Sequence, residues 1–478
     1  MGATVRHAST GRMGPLTEPR RQRRPRIVCA GMCNTKGVEM KFLAEQVAEH
    51  GGEPIVMDLS LGAAVDWADV SLQEVLAATG ARVEDVFAAP RADAVEMVGG
   101  AGARKIVEMR AAGRCDGIIS WAGSVGTSTA TQVMRALPLG VPKVMLTDQA
   151  SADVSMWLGG SDIFISNPIV EQGINAITRK AIGNAAAAIV AMAREPEAAP
   201  GSKPLAAVTG YGSTTPAVLH CVAFLEKRGF EVAVFHAVGP GAAMEDLVRS
   251  GLITAVIDLT TAELMNSQFG SVYGTPKAWR GRRLTAAAEM GIPQVVVPGG
   301  MDQTALGPLH TVPQRYLDEM NAGLRPSFHG TGSPYMHNES VTIMLVNPDE
   351  QRPVYEEMAS RLEGSRGPTQ ILIPMRGWSA YDQPAAVATL ERGWAKDNGD
   401  APTWQPDPDH PGWSSRSSLL LSTLRERLDG SNPNVDLLAL DRHILDAEFV
   451  DLVERAMGDM LDGRWRKGLY REVAGAIG

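Results

Sequence analysis

The segment Ser120–Met134, SWAGSVGTSTATQVM, has the composition of a loop that binds phosphate. An apolar run ends there in Gly123, Ser124, Gly126 and Thr127, our first candidate ligand-binding residues. Glycine lets the backbone approach a ligand closely, and consecutive free amides form a nest for an anion. The spacing matches neither the G-x-G-x-x-G dinucleotide fingerprint nor the G-x-x-x-x-G-K-[ST] phosphate loop. The segment therefore predicts either a nucleotide site or a tight turn before a helix that begins near Thr127.

A second polar turn follows the first buried strand of the chain. This strand ends at Gly31, and Asn34, Thr35 and Lys36 then lead into a helix. The free N–H groups of a helix start favour an anion, to which Lys36 would add a charge and Thr35 a hydroxyl. The alternative is that Asn34 or Thr35 caps the helix and that Lys36 is solvated. Two such turns after neighbouring strands of one sheet favour the phosphate site.

Polar residues also follow the strands of the second half of the chain. Ligands of an open parallel sheet bind beyond the carboxyl ends of its strands, so we expect these residues to share one rim and to bind a second small molecule. The predicted catalytic residues are His236, Glu245, Glu263 and Asp302. The predicted substrate-binding residues are Thr214, Thr215, Gly239, Gly241, Asp258, Thr260, Thr261, His337 and His443. For any one histidine taken alone, a structural role is the alternative.

The elements that must position these residues alternate along the whole chain. Short apolar runs, which read as buried strands, alternate with amphipathic segments, which read as helices, and this order is typical of a parallel sheet with helices on both faces. The predicted strands span residues 26–31, 53–60, 116–123, 142–148, 161–167, 204–210, 231–237, 254–260, 293–300, 341–347, 369–375 and 435–441. The predicted helices span residues 37–50, 92–112, 175–194, 215–229, 241–250, 281–290, 349–363, 418–428 and 446–461. The predicted fold class is therefore α/β, with two Rossmann-like doubly wound parallel-sheet domains.

Composition shifts give the expected domain boundaries. Residues 1–25 form a basic tail that we expect to be disordered, residues 26–194 a nucleotide-binding domain, 195–204 a Pro/Gly-rich linker, and 205–478 a second α/β domain with the substrate site. A stretch rich in Pro, Asp, Gly and Trp predicts a long loop over residues 393–417. The two halves begin with similar sequence patterns, which fits either an internal duplication or the order of elements common to α/β chains.

Composition excludes several classes of function. The chain has 478 residues and a net charge of −9, which gives no support to nucleic-acid binding. Its most apolar segment, Ala181–Ala193, is too short to span a bilayer, so no membrane contact is expected. Four cysteines in so long a chain do not make a disulfide framework and indicate reduced thiols in the cytoplasm. No metal-binding motif is present, and no metal-ligating protein residue is predicted.

Taken together and in order, these segments resemble one family. The segments that carry the resemblance are GMCNTKGVEM, AGSVGTSTATQVMRALPLGVPKVM, GINAITRKAIGNAAAAIVAM, YGSTTPAVLHCVAFLEKRGFEVAVFHAVGPGAAMEDLVRSG, IDLTTAE, GIPQVVVPGGMD and DRHILDAEF. Over about residues 26–460 the chain is similar to the two-domain ATP-binding family that includes the tomato mosaic virus resistance protein. The resemblance implies two Rossmann-like domains, ATP and Mg²⁺ held in the first, and a homodimer.

The resemblance adds Gly173 and Asn175 to the expected ATP-binding residues, and the chain departs from the family pattern around them. Asn34 replaces a family Asp, Ala122 and Val125 replace glycines of the loop, and Val170 replaces an Asp before Gly173; further along, Ala217 replaces a Cys and Leu445 an Asn. These changes remove carboxylates and reshape the expected phosphate loop.

The expected function is an ATP-dependent enzyme that transfers a phosphoryl or adenylyl group to a small carboxylate or other oxyanion. ATP would lie at Lys36, Ser124 and Thr127, and the substrate at the second rim, with His236 or Glu245 as acid or base. One alternative is a non-catalytic binding protein that a nucleotide switches. The other is an enzyme that uses the second site alone, without ATP.

Overall fold

A computed structural model describes residues 23–151, 154–195, 203–239, 241–274, 281–327, 332–384 and 403–477. The chain divides into two compact units, Met1–Pro200 and Gly201–Gly478. Most of the predicted basic tail, most of the linker and residues 393–402 of the predicted loop lie outside the described residues. None of the described helices is long and apolar enough to cross a membrane.

The first unit is a five-stranded parallel sheet with helices on both faces. Its strands are β1 (Arg26–Gly31), β2 (Glu53–Asp58), β3 (Gly117–Ala122), β4 (Lys143–Thr147) and β5 (Phe164–Ser166), in the order β2-β1-β3-β4-β5. Its helices are α1 (Gly37–Glu49), α2 (Leu72–Ala77), α3 (Val83–Ala88), α4 (Arg91–Ala111), α5 (Ser124–Arg135), α6 (Ser155–Leu158) and α7 (Ala176–Arg194). One apolar cluster joins α1 and α7 to one face of the sheet, and another joins α2, α4 and α5 to the other face.

The second unit contains a larger parallel sheet and a small antiparallel one. Its strands are β6 (Leu205–Gly210), β7 (Glu231–His236), β8 (Ile253–Asp258), β9 (Gln294–Val296), β10 (Thr304–Leu306), β11 (Tyr335–Asn338), β12 (Val341–Met344), β13 (Thr369–Pro374), β14 (Val435–Leu440) and β15 (Ala476–Ile477). The helices are α8 (Thr215–Lys227), α9 (Gly241–Arg249), α10 (Ala262–Gln268), α11 (Ala286–Met290), α12 (Gln314–Asn321), α13 (Pro348–Glu363), α14 (Ser415–Arg427) and α15 (Ala447–Leu461). The large sheet has the order β15-β14-β13-β9-β8-β6-β7, in which only the pairing of β15 is antiparallel. Strands β10, β12 and β11 form the small sheet.

The predicted fold class is confirmed, since both units are parallel α/β sheets flanked by helices. The prediction for strand 341–347 is wrong in one respect: β12 pairs antiparallel with β10 and β11, outside the large sheet. Its partner β11, YMHN, is short and mostly exposed, so neither its length nor its hydrophobic pattern predicts a strand.

Helix α5 corrects the predicted start near Thr127. The helix begins at Ser124, because Gly123 takes an extended backbone and its carbonyl accepts the amide of Thr127 at 2.8 Å. Gly126 and Thr127 therefore belong to the first turn of a helix and not to a loop.

Both units share one topological feature at their centre. In the first, β1 lies between β2 and β3; in the second, β6 lies between β7 and β8. Each is a point where the strand order reverses, and ligands of open α/β sheets bind in the crevice beyond the strand ends at such a point. This common order fits both a duplication and the general α/β pattern.

Candidate functional site

A cavity of about 520 Å³ opens at the switch point of the first unit, beyond the ends of β1 and β3. Six of the predicted cofactor residues line it, namely Asn34, Thr35, Lys36, Gly123, Ser124 and Gly126. Leu61 and Ala94 give it an apolar side, and Arg91 and Glu171 bring one charge of each sign. The two polar turns predicted from the sequence thus lie on the same cavity.

The amino end of helix α5 supplies backbone donors to this cavity. The first intrahelical bond is donated by Thr127, so the amides of Ser124, Val125 and Gly126 precede it and have no partner within the helix. These three residues line the cavity. Three amides at the positive end of a helix dipole are suited to an anion such as phosphate.

The glycine at position 126 is required by packing as well. A Cβ placed on Gly126 would lie 2.7 Å from the Cβ of Ala122 and 3.3 Å from Sδ of Met32. The Cβ of Ala122, which also lines the cavity, therefore uses the space that Gly126 leaves open.

Lys36 provides the charge on the other side of the cavity. Its side chain is only 8 % exposed, and its Nζ donates to the backbone carbonyl of Glu171 at 2.6 Å. An ammonium has three donors, so two remain for a ligand. The amides of Thr35 and Lys36 both bond to the carbonyl of Met32, at 3.1 and 2.9 Å. This turn therefore offers side chains, and not backbone donors, to the cavity.

The other predicted cofactor residues lie behind the cavity and support the fold. Thr127 is fully buried, and its Oγ1 bonds to the hydroxyl of Thr147 and the carbonyl of Gly123. Gly31 packs against Met40, with 2.7 Å from a Cβ on the glycine to the methionine Sδ.

Gly173 and Asn175 also have structural partners. The amide of Gly173 donates to Glu39, and Oδ1 of Asn175 caps helix α7 by accepting from the amides of Ile177 and Thr178. Contact of Thr127, Gly31, Gly173 and Asn175 with ATP stays a prediction.

The carboxylates predicted at the second rim meet on one buried arginine. Arg283 bonds to Glu245 at 3.1 Å, to Asp258 at 2.9 Å and to Glu263 at 2.6 Å, and we name these four residues the Arg283 cluster. All four side chains are at most 3 % exposed. Burial raises the pKa of Glu245, against the opposing effect of the Arg283 charge.

The Arg283 cluster also binds the backbone around it. Glu245 accepts the amides of Leu284 and Ala286, each at 2.6 Å, where helix α11 begins. Glu263 accepts the amides of Gly239 and Gly241, at 2.5 and 2.9 Å. These bonds fix two loops at the carboxyl edge of the sheet. Together with the ion pairs to Arg283, these bonds explain the three acids as supports of the fold, and their catalytic or substrate-binding roles stay predictions.

The predicted hydroxyl residues also bond within the unit. The hydroxyls of Thr214 and Thr260 lie 2.8 Å apart, and those of Thr215 and Thr261 donate to the carbonyls of Tyr211 and Val297.

The predicted histidines lie in three different places. His236 is exposed at the end of β7, edge-on to the ring of Tyr211, and partial desolvation lowers its pKa against the opposing charge of Glu263. His337 is exposed on β11 of the small sheet. His443 is buried, with Nε2 at 3.1 Å from the carbonyl of Ser379. The structure thus does not gather these histidines into one catalytic group.

Asp302 lies in a second buried group, which we name the Asp302 cluster: Asp302, Ser379, Asp382, Thr403 and Arg416. The hydroxyls of Ser379 and Thr403 donate to Oδ2 of Asp302 at 2.9 and 2.7 Å. Nη1 of Arg416 donates to the carbonyl of Thr403 at 2.7 Å and lies 3.4 Å from Oδ1 of Asp382. Burial, with the nearby charge of Asp382, raises the pKa of Asp302 to about 6.

Reasoning from the sequence missed Arg283, Asp382 and Arg416. Asp382 follows the end of β13, so the rule that polar residues beyond a strand end form a site would have found it. Arg283 and Arg416 follow no strand directly and match no motif. Only the folded chain brings them to their carboxylates.

Comparison with known proteins identifies relatives of both halves. Residues 25–198 match the N-terminal domain, and residues 203–392 the C-terminal domain, of the family described as "Uncharacterised protein family (UPF0261)". A UPF0261 protein of Clostridium tetani is 32 % identical over 443 residues, which cover 91 % of this chain and 99 % of the relative. A UPF0261 protein of Rhizobium meliloti is 35 % identical over 375 residues, 76 % of this chain and 89 % of the relative.

A plant relative is similar over part of its own length. The ToMV susceptible protein tm-1(GCR26) of tomato (Solanum lycopersicum) is 29 % identical over 385 residues. The match covers 75 % of this chain and 49 % of the tomato protein.

Proposed function

The chain belongs to the UPF0261 family, and from this premise we propose that its first unit binds ATP in the cavity at the β1–β3 switch point. The observation that carries the proposal is the meeting of the α5 amides and the Lys36 ammonium on one cavity. In this proposal the amides of Ser124, Val125 and Gly126 hold phosphate oxygens, and Lys36 balances their charge.

The cavity fits a nucleotide in size and in polarity. Its volume of about 520 Å³ is within the usual range of small-ligand sites. The apolar side chains of Leu61 and Ala94 suit the nucleobase, and Arg91, the first residue of α4, adds a second cation. Mg²⁺, which supplies charge neutralisation when it accompanies ATP, would have Glu171 as the one carboxylate among the described lining residues.

We assign the second unit to a small oxyanion substrate. ATP-dependent transfer to that substrate is the reaction that uses both sites. In phosphoryl transfer a substrate oxygen bonds to the γ-phosphorus as the bond to ADP breaks. In adenylyl transfer the oxygen bonds to the α-phosphorus and pyrophosphate leaves. Lys36 stabilises the growing negative charge on the phosphate in either case.

The test of ATP binding is a calorimetric titration of the full chain with ATP, with and without Mg²⁺. Saturable binding that weakens in Lys36→Met supports the proposal, because methionine keeps most of the apolar part of the side chain and removes the ammonium. Absence of binding at millimolar ATP, or equal affinity of wild type and variant, rejects it.

A non-catalytic protein that a nucleotide switches is the second candidate. The observation that favours it is the Arg283 cluster, in which the acids predicted for catalysis are buried and already bonded. Measurement of ATP hydrolysis and transfer with a pool of small organic acids separates the two candidates. Turnover of ATP supports the ATP-dependent enzyme, while tight ATP binding with no turnover supports the non-catalytic protein.

A further inference from the structure

The Asp302 cluster lies where the loops after three neighbouring parallel strands meet. Asp302 follows β9, Ser379 and Asp382 follow β13, and His443 follows β14. The hydroxyl of Ser379 bonds to Asp302, and its carbonyl lies 3.1 Å from His443 Nε2, so the three loops are joined directly. This is the carboxyl edge of the sheet, at which α/β folds bind their ligands.

Asp302 and Arg416 are held close together through Thr403. The threonine hydroxyl donates to Oδ2 of Asp302, and the threonine carbonyl accepts from Nη1 of Arg416. Asp302 is 0 % and Arg416 is 1 % exposed. The cluster is therefore a fixed polar arrangement inside the unit and not a mobile surface group.

Both side chains keep buried polar atoms that no described residue satisfies. Oδ1 of Asp302 accepts no hydrogen bond, and neither Nε nor Nη2 of Arg416 donates one. An unpartnered buried polar atom destabilises the fold, and a charged group does so more strongly, so such atoms require an explanation.

Another buried arginine of this unit shows the contrast. Arg283 uses Nε, Nη1 and Nη2 on carboxylates, and its role in the fold is complete. Toward the described residues, Arg416 donates only through Nη1. Its free edge, Nε with Nη2, presents two parallel N–H groups, which is the geometry that binds a carboxylate through both oxygens.

We propose that the Asp302 cluster is a subsite for a small carboxylic acid that carries a hydroxyl or ammonium group beside its carboxylate. The carboxylate pairs with the Nε–Nη2 edge of Arg416, and the hydroxyl or ammonium donates to Oδ1 of Asp302. A metal ion does not account for the cluster, since the described residues include no group of three or more His, Cys, Asp or Glu side chains that could hold one.

This inference deepens the proposed function, on which it rests for the role of the bound acid as substrate. Binding of the acid itself does not depend on ATP. A titration without nucleotide therefore fails or succeeds independently of the ATP site.

The experiment titrates the full chain, free of nucleotide, with glycolate, glycine, acetate and glycolamide. We expect saturable binding of glycolate or glycine, with acetate at least roughly tenfold weaker because it lacks the donor, and no binding of the uncharged glycolamide. Comparison of the affinities for glycolate and glycine shows whether a hydroxyl or an ammonium group is the better donor to Oδ1 of Asp302. No saturable binding of any probe at tens of millimolar overturns the inference and leaves internal water as the partner of these atoms.

The variants Arg416→Lys and Asp302→Asn assign the binding to these residues. Lysine keeps the charge but loses the paired N–H edge, so we expect the dissociation constant of the bound probe to rise at least roughly tenfold. Arg325→Lys is the matched control, since Arg325 is equally buried but fully engaged by Glu319 and Glu350. If Arg416→Lys does not fold, Asp302→Asn decides: unchanged affinity for the probe contradicts the inference.

Discussion

The ammonium of Lys36 donates to the backbone carbonyl of Glu171 at 2.6 Å and so lies at the wall of the first-unit cavity. The side chain of Glu171 lies beside Gly123, the residue before helix α5. Its Oε1 is 3.8 Å from the position that a Cβ on Gly123 would take. One residue thus holds the cation in place through its backbone and brings a negative charge to the start of helix α5 through its side chain.

The first prediction concerns Lys36. We expect Lys36→Met to weaken ATP binding roughly tenfold or more, because a hydrogen bond to a charged group contributes about 1.5–3 kcal/mol. Lys41→Met, on the exposed face of helix α1, is the control and should bind ATP as wild type does. Calorimetry measures the ATP affinity of both variants. An equal loss of affinity in the two would show that the ammonium of Lys36 has no specific role in ATP binding.

The second prediction concerns the side chain of Glu171. Glu171→Gln keeps the backbone carbonyl that Lys36 uses and removes a negative charge from the phosphate site. We expect Mg²⁺-free ATP to bind roughly tenfold more tightly, since two like charges a few ångströms apart repel. Glu108→Gln, an exposed change on α4, should have no effect. Weaker Mg²⁺-free binding in Glu171→Gln would contradict this placement of the phosphates.

The third prediction concerns the contact between Gly126 and Ala122. We expect Gly126→Ala to lower the free energy of unfolding by about 1–3 kcal/mol, because the added methyl overpacks against Ala122 at 2.7 Å. Adding Ala122→Gly should restore most of the loss. Gly100→Ala in helix α4 meets no atom within 4 Å and should be neutral or stabilising. Denaturant unfolding measures wild type, the two single variants, the double variant and the Gly100→Ala control, and additivity of the two changes at 122 and 126 would show that they do not touch.

The fourth prediction concerns Arg283. Replacement by methionine leaves three buried carboxylates without their cation, and we expect a loss of about 3–5 kcal/mol or failure to fold. Arg282→Met, which removes a partly exposed ion pair with Asp246, should cost at most about 1 kcal/mol. Unfolding of the two variants side by side gives the comparison. A similar small cost in both would mean that the Arg283 cluster does not support the fold.

The fifth prediction concerns pH and Asp302. The pKa of Asp302 is raised from 3.8 to about 6 in the folded protein. Between these two pH values the folded state therefore keeps a proton that the unfolded state has already released. The contribution of Asp302 to the free energy of unfolding is therefore present at low pH and falls as pH rises from about 4 to about 6.

Asp302→Asn should remove that contribution. Relative to wild type, the variant gains stability as the pH rises through this window. Melting curves between these two pH values measure the difference, with the exposed Asp409→Asn as control. A wild-type-minus-variant difference that does not change with pH would contradict the raised pKa.

The sequence predicts the layout of the fold well and the chemistry of the second unit only in part. Strand ends such as Gly31 and Gly210 follow from hydrophobic runs that stop at glycine, which is a local pattern. The gathering of Asn34, Lys36 and Ser124 around one cavity follows from the parallel order of their strands. Arg283 and Arg416 could not be foreseen, because each meets its partners across long stretches of chain that only the folded structure brings together.

The most direct test of the account is the position of ATP in crystals of the full chain grown with ATP and Mg²⁺. The account predicts phosphate oxygens within hydrogen-bond distance of the amides of Ser124, Val125 and Gly126, and of Nζ of Lys36, with the base beside Leu61. ATP ordered at another place on the chain, or no bound nucleotide at saturating ATP, would contradict it.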